Sequence, residues 1–528
     1  MSKLQSYDPL LRASLYLGFT KGFDVGFRGH VNSKSEITNL KSCNLSPEAV
    51  SKFLNSEVSL GRMAGPFSKP PFEYFQVSPI GLVPKKDSDN FRLIMDLSSP
   101  SGSSINDFIH DIFSQVTYSS IADAVKLVVQ CGPGAFLSKT DLADAFRLLP
   151  LAEDQYNLSL VKWNGVFWYN KVLMFGLRSS CANFEKFSCA LEFIAKEKGI
   201  QHVCHYLDDF LFVNSSFQEC EQNLNDFISI CSEINVPLAS HKTVQPTQKL
   251  TFLGFEIDTI NEILCLPKDK LSKCTKLIQE FLAKPKVTLQ RLESLLGLLS
   301  FCCQVIVPGR AFLRHLYSLT RGITNPHCHI SLTLEAREDL RVWLLFLESY
   351  NGVTLYKDEM FLSESSVEIY ADACQSYGMG AFLYNHWFSV NWPDTWWTQQ
   401  NITFLELLPL VLALEVWGVE LRNKCVTLRT DNWSLMHSIN SQKSKEPLVM
   451  SLLRKLVLLA LRHNVLIRSI HIVGLENRAA DCLSRGRIQE FFTLRPNSDL
   501  VPSAVGSVSR LLTSLKDSPL ILKPFCQL

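Results

Sequence analysis

The stretch CHYLDDFLFV (Cys204–Val213) sets two adjacent carboxylates, Asp208 and Asp209, in the middle of an apolar, strand-forming run. Carboxylates are among the side chains least often buried, and hydrophobic strands seldom carry two together. Helical text flanks the stretch, from about Ala182 to Lys198 and from Phe217 to Ile234. The local expectation is therefore helix, strand, acidic turn, strand, helix, with a carboxylate presented at the tip of a rigid hairpin. Taken alone, Asp208-Asp209 also fits an exposed turn, because Asp is common there. A second acid alters the balance: Asp141 in FLSKTDLADAF also ends an apolar strand. Two such acids repel each other unless a cation neutralises them. Mg2+ is the expected cation, two per site, since it takes oxygen ligands and few carboxylates; Mn2+ is an acceptable substitute. Two ions about 4 Å apart activate a hydroxyl nucleophile and stabilise a leaving phosphate.

The rest of the chain divides by pattern. Its 528 residues are enough for several domains, and 46% hydrophobic with 20% charged residues excludes a disordered chain. Net charge is only +1, so any nucleic-acid surface has to be a local basic stripe. The 16 cysteines include no C-x-x-C pair and read as reduced thiols, which places the chain in the cytoplasm and/or nucleus. No signal segment is expected at the N-terminus, and charges interrupt the most apolar windows, so no membrane partner is expected. His327-Cys328-His329 lacks further ligands at zinc-like spacing. Val77–Lys86 and Phe91–Leu97 read as two strands, Ser120–Cys131 as a helix and ADAF as a short helix. LSLVKWNGVFWYNKV reads as an Asn-Gly hairpin, and LTFLGFEID as a single strand. Beyond Pro267 the period becomes helical.

YLDD together with TDLADAF resembles reverse transcriptase. LVPKKDSDNFRLIMDLS, MFGLRSSCANFEKF, LASHKT and FLGFEID complete that family's order over residues 77 to 258. The resemblance implies that Asp141 and Asp208 are the main metal ligands and Asp209 an auxiliary acid. It implies that Lys85 and Arg92 contact the incoming deoxynucleoside triphosphate. Asp144 is placed with the substrate-binding residues, and Phe146 is the gate that excludes a ribose 2′-hydroxyl. Gly176 allows backbone to approach template or nucleotide closely, and Lys242 protonates the leaving pyrophosphate. Phe252, Leu253 and Gly254 lie at the primer grip. The chain departs from many relatives at Phe175 and Cys181, where Gln and Pro are usual.

A second set of acids ends or opens apolar elements from Val367 on: Asp372, Glu406, Asp431 and Asp481. Four carboxylates suit two divalent ions and hydrolysis of a phosphodiester. Their order resembles ribonuclease H. Pro409 inside the helical text conflicts with a Thr403–Glu406 capping box, leaving a start near Leu407 or a kink open. His471 lies in strand-like text and reads as structural. Asn477 stands at the edge of the site.

The expected fold is α+β and α/β multidomain. Residues 1–60 form an extension of no assigned role, 61–265 fingers and palm, 266–330 a helical thumb and 331–365 a connection. Residues 366–487 form a ribonuclease H-like α/β domain and 488–528 a tail. GRMAGPF, SPIGLVPKK, PGRAFLR, NITFLELLPLVLAL and ENRAADCLSR are similar to the polymerases of DIRS-like, tyrosine-recombinase retrotransposons; gypsy-like and pararetroviral polymerases are neighbouring possibilities. The implied partners are an RNA template, a DNA primer, an RNA–DNA hybrid and deoxynucleoside triphosphates. A recombinase or integrase would come from another domain or chain. Three alternatives stay open: a non-catalytic nucleic-acid-binding relic, a polymerase whose C-terminal unit is only structural, and an RNA-templated RNA polymerase sharing the palm.

Overall fold

Residues 2–31, 37–84, 91–349, 352–355 and 367–505 are described in the computed structural model. They cluster into two compact units. One runs up to Leu253 and takes in Ile257–Asn261; the other holds Gly254–Glu256 and the chain from Glu262 on.

The first unit opens with helices α1 (Pro9–Lys21) and α2 (Pro47–Ser59) and strands β1 (Met63–Phe67), β2 (Ile80–Pro84) and β3 (Phe91–Met95). Helix α3 (Ile121–Cys131), β4 (Phe136–Asp141), β5 (Leu160–Trp163), β6 (Val166–Asn170) and helix α4 (Ser180–Glu197) follow. The unit continues through β7 (Val203–Tyr206), β8 (Asp209–Asn214), helix α5 (Phe217–Glu233) and β9 (Val244–Thr247). Its sheets are β1-β6-β5, β2-β3 and β7-β8-β4-β9. Local chemistry sets these boundaries. Ser120 and Asp123 form a capping box at the start of α3, and Gly132, at φ +89°, ends it before Pro133. Asn164 and Gly165 both have positive φ, the two-residue turn that matches strand twist between β5 and β6. Strand β8 is buried on both faces from Phe210 to Asn214, which is why it reads as an unbroken apolar run.

Residues 1–60, which sequence pattern left unplaced, complete two cores. Leu4, Leu15, Phe23 and Val25 join Phe184, Phe210 and Phe227, whereas Cys43, Val50 and Leu54 pack with Ile80 and Trp168. The pattern was weak because α1 buries only Leu15 and Gly18 while leaving Leu10 and Tyr16 in solvent. From α2, Glu57 pairs with the buried Arg147, at 3.0 Å from Nε and 2.5 Å from Nη2. Glu57→Gln removes the charge paired with that buried guanidinium, and urea denaturation should show a loss of about 3–5 kcal/mol.

Two local expectations change. ADAF is not an α-helix: Asp144 is left-handed (φ 62°) and a 3-10 turn covers Ala145–Leu148. LTFLGFEID is not one strand but two, β10 (Lys249–Phe252) and β11 (Phe255–Asp258), broken by Leu253 and Gly254, both with positive φ. A Leu in the first turn position conceals this turn, since Asn or Asp normally marks it.

The second unit begins with helices α6 (Lys268–Ala283), α7 (Leu289–Cys302) and α8 (Leu334–Ser349). Strands β12 (Val367–Cys374), β13 (Gly378–Leu383) and β14 (His386–Asn391), helix α9 (Ile402–Trp417) and β15 (Cys425–Thr430) come next. Helices α10 (Trp433–Ser441) and α11 (Pro447–Arg462), β16 (Leu466–His471), and helices α12 (Arg478–Ser484) and α13 (Ile488–Leu494) complete it. The sheet order is β14-β13-β12-β15-β16, with β12, β15 and β16 parallel. Helix α9 continues through Pro409, so it starts well before Leu407. Asn401 caps it by accepting from Thr403 N at 2.8 Å, so Thr403 is not the cap. The buried Asp339 of α8 binds His315 and Arg454, tying the helical part to α11. The segment 488–505, set apart from the sequence as part of a tail, packs on the sheet: Phe491 is buried against Phe382 and Trp387, and Ser503 N donates to Trp387 O. Among the described residues no helix is long and apolar enough to cross a membrane.

Candidate active sites

Strands β7 and β8 form a hairpin in which Tyr206 pairs with Asp209, leaving Leu207 and Asp208 as its two-residue tip. Leu207 takes the positive φ (53°) that such a turn needs. Strand β4 runs antiparallel to β8 with Asp141 paired to Asp209. Leu142 N donates to Asp208 O at 2.8 Å, so the hairpin tip is bonded to the end of β4. The three acids therefore converge at one end of the sheet. Burial, then the Asp141 charge, pushes Asp208 up to about 6; burial, with repulsion from Asp141 opposed by Lys139, raises Asp209. Lys242 Nζ donates to both oxygens of Asp141, at 2.8 and 2.9 Å.

The other expected substrate residues are more scattered. Arg92 is exposed on β3, opposite Val83, and Lys85 lies outside the described residues. Phe146 packs edge-on against Phe175 at 5.2 Å and Phe184 at 5.3 Å, so the unusual Phe175 sits against the expected gate. Asp144 pairs with Arg62 at 2.5 Å. Gly176 (φ +90°) makes its close approach within the protein: a Cβ there would lie 2.8 Å from Met95 O. Phe252 is fully buried, which removes its side chain from any primer contact. Leu253 is half-buried; Gly254 O accepts from Lys270 Nζ at 2.9 Å.

In the second unit Tyr370 of β12 pairs with Arg429 of β15, and two residues beyond each stand Asp372 and Asp431. Glu406 sits in the second turn of α9, with Thr430 Oγ1 3.5 Å from its Oε2. Burial pushes Asp372 up to about 6, Asp431 and Asp481 adding to it against the bond from Ser484. Burial, then Asp431 and Asp372, pushes Glu406 up to about 8. Asp372 thus senses Asp431 and Asp481, and Glu406 senses Asp431 and Asp372. Asp481 of α12 is bound by Arg485 at 2.6 Å and by Arg487. His471 stacks on Trp433 at 4.2 Å and reaches Asp431 O at 3.1 Å; Asn477 Nδ2 donates to Ala371 O. Among the described residues neither set of acids has three ligand oxygens all within 4.8 Å of one another, as expected of carboxylates that repel.

Residues 83–257 match the family described as reverse transcriptase (RNA-dependent DNA polymerase). This segment is a reverse transcriptase domain. The chain is 25% identical over 243 residues to the Pro-Pol polyprotein of simian foamy virus type 1, covering 46% of this chain and 19% of the relative. It is 24% identical over 284 residues to the retrovirus-related Pol polyprotein from transposon gypsy of Drosophila melanogaster, covering 52% and 24%. Against the Gag-Pro-Pol polyprotein of Mason-Pfizer monkey virus it is 24% identical over 269 residues, covering 48% and 14%. The matches thus span less than a quarter of each relative's length. The fold resembles foamy viral protease-reverse transcriptase solved with double-stranded DNA (TM-score 0.52, 18% identity, 85% of this chain and 87% of that one). The same protein solved with an RNA/DNA hybrid matches with TM-score 0.52 and 17% identity over 84% of this chain and 56% of that one.

The donor set at the tip of the reverse transcriptase hairpin fits a divalent metal. It is all oxygen, and burial and mutual repulsion hold Asp208 and Asp209 above the ordinary carboxylate range. The acid set of the second unit is similar, with Glu406 the most perturbed member. Sequence reading missed several supporting groups: Arg62 on Asp144, Lys139 facing Asp209, Ser484 on Asp372, and the arginines on Asp481. Only the Asp481–Arg485 spacing, one helical turn, carried a local signal.

Proposed function

We propose that this chain is the RNA-directed DNA polymerase of a retroelement, extending a DNA primer on an RNA template and degrading the RNA of the resulting hybrid through its second unit. One observation carries the reading: Asp141 and the Asp208-Asp209 tip meet at one end of paired strands. Asp141, Asp208 and the auxiliary Asp209 would hold Mg2+, which when bound activates the primer hydroxyl and stabilises the leaving pyrophosphate. Lys242, placed on Asp141 by two hydrogen bonds, brings a proton to the same site and is the candidate donor to pyrophosphate. Arg92 and Lys85 are assigned to the triphosphate of the incoming nucleotide. Asp372, Glu406, Asp431 and Asp481 would hold the metal for hydrolysis of the hybrid.

The sequence phrases shared with DIRS-like elements support that subfamily, with a tyrosine recombinase supplied by another domain or chain. The direct test is Mg2+-dependent primer extension on poly(rA)/oligo(dT): absent incorporation with intact binding favours the relic.

Phe146 gives a second test, of sugar selection. Phe146→Val removes the ring packed on Phe175 and Phe184. Ribonucleotide incorporation should rise about 10- to 100-fold relative to deoxynucleotides in single-nucleotide extension. A wild type that already uses both equally would refute the gate.

A reading in which the second unit is only structural draws on one observation, the arginine pair on Asp481.

A further inference from the structure

Away from both acid clusters, α4 carries Glu185, Cys189 and Glu192, four and three residues apart and hence on one helical face. His205 of β7 lies against them. Among the described residues, Glu185, Cys189 and His205 are the only group of three or more His, Cys, Asp or Glu side chains whose ligand atoms all lie within 4.8 Å of one another. We propose that these three residues form a binding site for a zinc-class divalent cation that fastens α4 to the hairpin bearing Asp208.

The geometry is close to that of a tetrahedral ion. Glu185 Oε1 is 3.3 Å and Cys189 Sγ 3.9 Å from His205 Nε2. Ligand atoms bound to zinc at about 2.0–2.3 Å stand roughly 3.3–3.6 Å apart, so the carboxylate is already in place and the thiolate needs only a small approach. An imidazole, a thiolate and a carboxylate suit zinc, whereas Mg2+ takes oxygen alone. Three protein ligands leave the fourth position to water.

Two further observations point to a ligand. Glu192 Oε2 lies 2.5 Å from His205 Nδ1 and is itself paired with Lys196. A carboxylate on the far nitrogen fixes the ring so that Nε2 faces the other two donors, the usual outer support of a metal-bound histidine. Glu185 is also only 6% exposed, and its Oε2 is buried with no hydrogen-bond partner among the described residues. An unsatisfied buried carboxylate oxygen is costly, and a cation offsets that cost.

Charge and protons balance. Cation binding displaces to solvent whatever protons His205 Nε2 and Cys189 Sγ carry. The resulting thiolate and the Glu185 carboxylate neutralise a divalent ion, while Lys196 balances Glu192. This site is independent of the polymerase reading, since it requires no role for the acids at the hairpin tip.

The test uses the full chain, stripped with chelator and titrated with CoCl2, then with ZnCl2. Wild type should bind Co2+ with a thiolate-to-cobalt charge-transfer band that Zn2+ abolishes. Cys189→Ser, nearly isosteric, should remove the band. Glu192→Gln should keep it but weaken affinity about 10- to 100-fold. Cys204→Ser, at a buried cysteine beside His205, should change neither and so separates this site from general thiol binding. No band in wild type, or a band that survives Cys189→Ser, would overturn the proposal.

Discussion

Asp208→Asn is expected to lower Mg2+-dependent primer extension about 10³-fold, while cleavage of an RNA–DNA hybrid should continue. The rate loss corresponds to about 4 kcal/mol of transition-state stabilisation, within what a metal-held charge supplies. The amide keeps the size of the side chain and removes the charge. Folding is not at risk, because burial and the Asp141 charge already hold this carboxyl at about 6. Removing a charge disfavoured by its surroundings relieves repulsion, so the variant should melt no lower than wild type in EDTA. The two assays on one preparation separate a lost active site from a lost fold. Extension that persists near the wild-type rate would mean that the hairpin tip is not the site of nucleotide transfer.

Asp431→Asn is expected to have the reciprocal effect: on the proposed function, hybrid cleavage should fall about 10³-fold and primer extension should be kept. Asp431 is the better residue to test because it is the shared neighbour. Its charge contributes to the upward shifts of both Asp372 and Glu406. Asp481 is a poorer choice, since its replacement also frees Arg485 and Arg487. A gel assay with a labelled RNA strand reads the loss directly. Cleavage that survives the substitution would transfer the activity elsewhere and favour the structural reading of the second unit.

The two predictions rest on residues whose local setting was legible at different levels. Asp208-Asp209 stood out because charge interrupts an apolar strand, and the flanking helices followed from their own periodicity. The Asn-Gly turn was equally plain. By contrast, Leu253-Gly254 makes the same kind of turn with a residue that gives no such signal, so the apolar text on either side of it looks like one strand. Residues 1–60 were opaque because their helices bury few side chains each and contribute to cores assembled mostly from elsewhere. The motif places Phe252 at a primer contact, yet its ring is fully buried.

Element types, the order of the acids and the reverse transcriptase resemblance could be read along the chain, since periodicity, capping and turn chemistry act between near neighbours. Which charges meet was decided only by folding. Strand register joins Asp141 to Asp209, an antiparallel return brings Lys242 to Asp141, and helix packing sets Glu57 on Arg147. The same holds for His205 against Glu185 and Cys189, whose linear spacing spells no metal motif. Electrostatic energy depends on distance in space, and that distance is fixed by packing between segments whose separation along the chain says nothing of it.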